Sequence, residues 1–111
     1  MSPTEPCSWC GAEVELDDGF RAYEPAGERR AVFCRLEHVV PWSMQGGPWE
    51  PGALTEDPAI DAEVSGCSLC ETALGDVHIL LVRHRGRFRI PDGFCSVAHM
   101  AQWAKEGGRW R

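Results

Sequence analysis

Cys7-Ser-Trp-Cys10 and, 23 residues further on, Phe33-Cys34-Arg-Leu-Glu-His38 decide how this chain is read, because the same arrangement recurs later. The recurrence is Cys67-Ser-Leu-Cys70 and, 24 residues further on, Phe94-Cys95-Ser-Val-Ala-His99. A tryptophan follows each histidine by four positions, Trp42 in the first copy and Trp103 in the second. Two ordered sets that agree this closely point to an internal duplication.

The spacing has a chemical meaning. A Cys-x-x-Cys turn aims two sulfurs at one point, and a cysteine and histidine four apart on a helix project from one face. Two such pairs make one four-ligand site. Cys7, Cys10, Cys34 and His38 form the first set, and Cys67, Cys70, Cys95 and His99 the second, so that all 6 cysteines are used. Four protein ligands with no open position belong to structural zinc, whereas catalytic zinc keeps a place for water. Two zinc ions per chain are therefore expected, and no zinc catalysis. The dipole of a helix beginning at Cys34 or Cys95 is expected to lower the pKa of that cysteine. Three disulfides, a redox Cys-x-x-Cys pair, or iron in the same sites compete with this reading. A reducing compartment and the paired repeats disfavour the first, the second leaves the matching Cys-x-x-x-His unexplained, and the third shares the ligands.

Working outward, residues 77–82 have strand composition, 83–86 supply a turn, and Arg87-Phe-Arg-Ile90 alternates at period two. Pro91-Asp-Gly93 is expected to end this hairpin, and a helix follows from Cys95 until Gly107-Gly108 stops it. The first unit repeats the order with a strand over 19–24, a turn at 25–27 and a strand over 30–33. Its helix from Cys34 is expected to be cut short at Pro41. The fold class is thus a small, zinc-stabilised α+β protein made of two units, each a zinc knuckle, a β-hairpin and a helix. The units span residues 1–42 and 67–111. Residues 43–66, rich in Pro, Gly and acids, form a linker, from which Trp49 is expected to pack back on a neighbouring surface.

Composition limits the roles. The chain has 111 residues, 43% hydrophobic and 25% charged, which is globular rather than disordered. No stretch approaches the roughly 20 apolar residues of a membrane span, and no secretory signal is apparent, so a cytoplasmic protein is expected. Each unit is near the size at which a hydrophobic core alone ceases to suffice, which is a further reason to expect metal. The formal charge of −6 is uneven. Residues 1–66 hold 4 basic against 13 acidic side chains, a net −9, while residues 67–111 hold 7 against 4, a net +3. Nonspecific binding to a polyanion is disfavoured for the whole chain. Nucleic acid could reach only the later half, through Arg83, Arg85, Arg87 and Arg89, which period-two alternation puts on one strand face. His78 and His84 lie outside the repeat and are expected to be an ordinary strand residue and a turn residue.

Cys-x-x-Cys, a spacer slightly above twenty residues, then Phe-Cys-x-x-x-His resembles the TRASH and MYM (FCS-type) zinc fingers over residues 7–38 and 67–99. Phe33-Cys34 and Phe94-Cys95 match the dipeptide of those fingers, and Gly11 matches their knuckle glycine, a place Glu71 takes in the second unit. The resemblance implies a treble-clef-like fold and a binding role: protein contacts, nucleic-acid contacts or heavy-metal sensing. The residues themselves favour a non-enzymatic interaction module with a protein partner, since no nucleophile and base stand at a recognisable spacing. A metal sensor or carrier is the alternative.

Overall fold

The run Ile79-Leu-Leu-Val-Arg-His-Arg85 buries side chains of both alternating sets, which a strand does only inside a sheet covered on both faces. The computed structural model, which describes residues 4–46, 49–51, 64 and 66–108, shows how this comes about. In chain order the strands are β1 (Thr4–Pro6), β2 (Glu13–Glu15), β3 (Phe20–Glu24), β4 (Arg29–Phe33), β5 (Glu50–Pro51), β6 (Ile79–Arg85) and β7 (Phe88–Phe94). The helices among the described residues are α1 (Val39–Met44) and α2 (Val97–Lys105). β1 and β2 form a small ribbon, and the other five strands form one antiparallel sheet in the order β5-β4-β3-β6-β7. The protein is a small α+β fold in which knuckle, hairpin and helix occur twice.

The first hairpin matches its expected limits, with a 3-10 turn at Pro25–Gly27. The second is longer than expected: its turn is only Gly86-Arg87, and β7 runs through Pro91, Asp92 and Gly93 to Phe94. Pro91 does not end the strand because β7 is the edge of the sheet. The carbonyl of Gly93 points outward to accept from Ser68 N–H at 2.8 Å, so the odd positions of β7 face away from β6. The missing N–H of Pro91 would have pointed to the same side and costs no ladder bond. The helices also differ from expectation. A 3-10 turn covers Leu36–His38, α1 starts afresh at Val39, and Pro41 falls in its first turn, where amide donors have no intrahelical partner anyway.

β3 and β6 join the two hairpins. Phe20 pairs with Phe33 in one hairpin and Ile79 with Phe94 in the other, so Ala22 and Leu81 occupy corresponding places. Those two residues face each other across the β3–β6 ladder, with Arg21 opposite Val82 and Tyr23 opposite Leu80. The halves are therefore related by a local two-fold axis between Ala22 and Leu81, the geometry of an isologous dimer within one chain.

Both helices lie on the sheet face that carries Ala22, Ala31, Phe33, Ile79, Leu81 and Phe94 and form one core with it. Trp42 is fully buried and meets Phe33 edge to face at 5.2 Å; Trp103 meets Phe94 at the same 5.2 Å. Trp49 packs back as expected, edge to face on Trp42 at 5.0 Å with the Arg29 guanidinium over its ring at 5.2 Å. On the other face, Tyr23, Leu80 and Val82 make a smaller cluster. The buried Arg21 there donates to Glu5 at 2.7 Å and to the carbonyls of Asp18 and Glu15, tying β1 to the sheet, while Arg30 pairs with the same Glu5. No helix among the described residues is long and apolar enough to cross a membrane.

Trp42→Ala should cost about 3–5 kcal/mol, the usual range for truncating a buried aromatic. Trp9→Ala, at a side chain 41% exposed, should stay within roughly 0.5 kcal/mol. Equal midpoints in denaturant titrations of the two variants would contradict the assignment of Trp42 to the shared core.

Candidate metal centres

Each knuckle is a tight turn closed by its own backbone. Gly11 N–H donates to the Cys7 carbonyl at 3.0 Å and Cys7 N–H to Ala12 at 2.8 Å; Glu71 to Cys67 at 2.8 Å and Cys67 to Thr72 at 2.9 Å repeat the pattern. Closing the turn needs a left-handed residue, supplied by Gly11 at φ 78° and by Glu71 at φ 63°. The second knuckle thus keeps the geometry of the first at some backbone strain.

A serine the motif does not count holds each knuckle to its hairpin. Ser8 N–H donates to the Val32 carbonyl at 2.6 Å, and its hydroxyl accepts from Val32 N–H at 2.9 Å. Ser68 N–H donates to the Gly93 carbonyl, and its hydroxyl reaches the buried carboxylate of Asp92 at 2.9 Å. The bond lands two residues before Cys34 or Cys95, so it sets the distance between the two halves of each ligand set. The one visible signal was the identical serine in Cys7-Ser-Trp-Cys10 and Cys67-Ser-Leu-Cys70.

The structure brings all eight expected ligands into two clusters, in each of which the ligand atoms lie within 4.8 Å of one another. In the first, His38 Nδ1 is 3.7 Å from Cys7 Sγ and 3.3 Å from Cys34 Sγ, with Cys10 and Cys34 sulfurs 3.6 Å apart. In the second, His99 Nδ1 is 3.6 Å from Cys67 Sγ and 2.8 Å from Cys95 Sγ, with Cys70 and Cys95 sulfurs 3.7 Å apart. Tetrahedral zinc, with bonds of about 2.3 Å to sulfur and 2.0–2.1 Å to nitrogen, needs ligand separations of about 3.5–3.8 Å. Most of these edges match it, and the donor set suits zinc. Cys7 and Cys67 are buried, whereas Cys10 and Cys70 are exposed.

The proton affinities of the thiols correct the expectation about the helix starts. Burial pushes Cys7 up, but backbone N–H groups of the knuckle and the His38 ring outweigh it and hold it at about 6. Cys67 is held at about 7 by the backbone of Cys70, Cys95 and Leu69 against the same burial. Cys34 and Cys95 go the other way, to about 11, through burial and then through the neighbouring thiols of their own clusters. Each lies one residue outside a helical turn, whose caps are Arg35 and Ser96. Burial acts first and the neighbouring sulfurs next, and together they outweigh the helix start.

The other singled-out residues fall elsewhere. His78 precedes β6, and its Nδ1 donates to the Gly75 carbonyl at 2.9 Å; His84 is no turn residue but a buried one in β6, with Nδ1 donating to the Leu16 carbonyl at 2.7 Å. The four arginines do not share a face. Arg83 and Arg85 lie opposite Ile90 and Phe88 on the helix side, Arg89 lies opposite His84 on the other side, and Arg87 is in the turn. Arg89 pairs with Asp17 at 3.4 Å. No protein-family model, curated protein or solved structure matches the chain.

Two outcomes follow from the knuckles and the thiols. Glu71→Gly should raise the stability of the metal-loaded protein by about 1 kcal/mol by relieving the left-handed strain. A lowered melting temperature would refute that account. Because Cys34 and Cys95 keep their protons up to about 11, filling either site at neutral pH releases at least one proton. Zinc affinity should then fall as pH falls, by about tenfold per unit or more, in competition with a chromophoric chelator. A pH-independent affinity would contradict the raised thiols.

Proposed function

We propose that this chain is a non-enzymatic interaction module in which two structural zinc ions hold a two-fold scaffold that binds a protein partner. The observation that carries the reading is the pair of closed ligand sets, each of three cysteines and one histidine at near-tetrahedral separations. Four protein donors saturate zinc and leave no position for a substrate or an activated water. The resemblance to TRASH and MYM fingers supports a binding role of the same kind, and reduced thiols at metal spacing favour the cytoplasm. One observation favours the second reading, a metal sensor or carrier. Cys10 and Cys70 are solvent-exposed, so one thiolate of each site is open to exchange with soft ions such as copper.

Metal content and folding separate the two. A structural role predicts two zinc ions per chain by elemental analysis and loss of circular dichroism when a strong chelator removes them. Cys95→Ser should lower the zinc occupancy of both sites, because β3 and β6 share one ladder and α1 touches α2. A sensor would keep its secondary structure when stripped and would change little on rebinding. Retained structure in the metal-free protein would therefore overturn the structural reading.

A further inference from the structure

We infer that the groove between the first metal centre and the second hairpin binds an acidic segment of a partner protein, its carboxylates held by Arg35, Arg83 and Arg85. This rests on the interaction-module reading and names the partner's chemistry. The groove, of about 590 Å³, runs between Cys34–Glu37 on one side and Arg83–Arg85 on the other, with Phe20 and Gly107 also lining it. The Arg83 guanidinium lies over the Phe20 ring at 5.9 Å. Arg35 and Arg85 are exposed, and among the described residues neither has an ion-pair partner.

The two-fold relation of the halves tests whether the fold itself needs these arginines. Glu24 faces Arg29 in the first hairpin as Arg83 faces Ile90 in the second, so Glu24 takes the place of Arg83. Ser96 stands where Arg35 stands, directly after the third cysteine. The Ser96 hydroxyl caps α2 by accepting from His99 N–H at 3.2 Å, whereas Arg35 provides no side-chain cap. The first unit thus forgoes a favourable capping residue for a cation at the groove wall. Arg85 lies on an extension of the second hairpin that the first lacks. That extension is pinned, with His84 N–H donating to Gly19 at 2.9 Å and Gly86 N–H to Asp17 at 2.9 Å, so Arg85 is presented on a fixed strand. The frame that the halves share thus requires an arginine at neither the Arg35 nor the Arg83 position, and Arg85 lies outside that frame.

The surroundings choose the partner. Asp18 and Glu37 stand among the groove residues, in a chain of net charge −6. A continuous phosphate backbone would be driven against both acids. A peptide can set carboxylates on the planar guanidinium forks and neutral residues beside the acids. Phe88, 66% exposed and paired with Arg85 across the hairpin, offers an apolar contact beside that arginine.

The test uses the zinc-loaded full chain and a short fluorescein-labelled peptide of Glu-Gly-Tyr repeats, followed by anisotropy, with oligo-dT as a parallel probe. The peptide should bind, more weakly as salt rises. Arg35→Ser combined with Arg85→Ala should weaken it about tenfold or more, and Arg87→Ala, in the turn, should not. If the double variant loses zinc, Arg85→Ala alone, which lies outside both metal sites, carries the comparison and should still weaken binding several-fold. No binding by the wild type, unchanged affinity in the arginine variants, or tighter arginine-dependent binding of oligo-dT would overturn the proposal. Zinc content and chelator-induced unfolding of the same samples report separately on the structural-zinc reading, which survives a failure of the peptide to bind.

Discussion

A two-stranded hairpin carries an unpaired edge on each side, and alone it is barely stable in water. The ladder between β3 and β6 removes one such edge from each hairpin at once, and the rest of the molecule depends on it. It aligns both hairpins so that their apolar faces form a single floor, on which α1 and α2 rest side by side. It also fixes where the metal ligands meet. Each cysteine before a helix follows the last residue of a strand in this sheet, and each knuckle is bonded to the strand beside it.

How much of this was legible depends on the range over which the determining contacts act. The ligand sets and the first hairpin were readable because they are set by short spacings. The joining of the hairpins was not, because nothing local in Phe20–Glu24 or Ile79–Arg85 says which strand will lie beside it. The errors share that origin. Pro91 reads as a terminator until one knows that β7 is an edge, and Pro41 reads as too deep until one knows that the α-helix begins again at Val39. Cys34 and Cys95 read as first-turn residues until the caps are located one place later. The split of Arg83 and Arg85 from Arg89 follows from a turn two residues shorter than composition suggested.

The two halves share a frame and differ in what they place on it. One knuckle closes with glycine and the other with a strained glutamate, and one helix is capped by serine while the other begins with an uncapped 3-10 turn. Such departures are informative because each half is a control for the other. A side chain present in only one half is not demanded by the frame that the halves share. The basic groove lies among those departures, whereas the ligands, the phenylalanines before them and the tryptophans after them do not.

The two ends of the sheet are closed by unlike means. On the β4 side, Glu50–Pro51 adds a short final strand opposite Arg29 and Arg30. On the β7 side, Pro91 withholds a donor at the outward-facing position and the second knuckle occupies the edge at Gly93. Among the described residues neither end offers a long uninterrupted row of donors and acceptors to another chain. A protein assembled by joining strand to strand inside the molecule thus leaves little free edge through which to continue the same process between molecules.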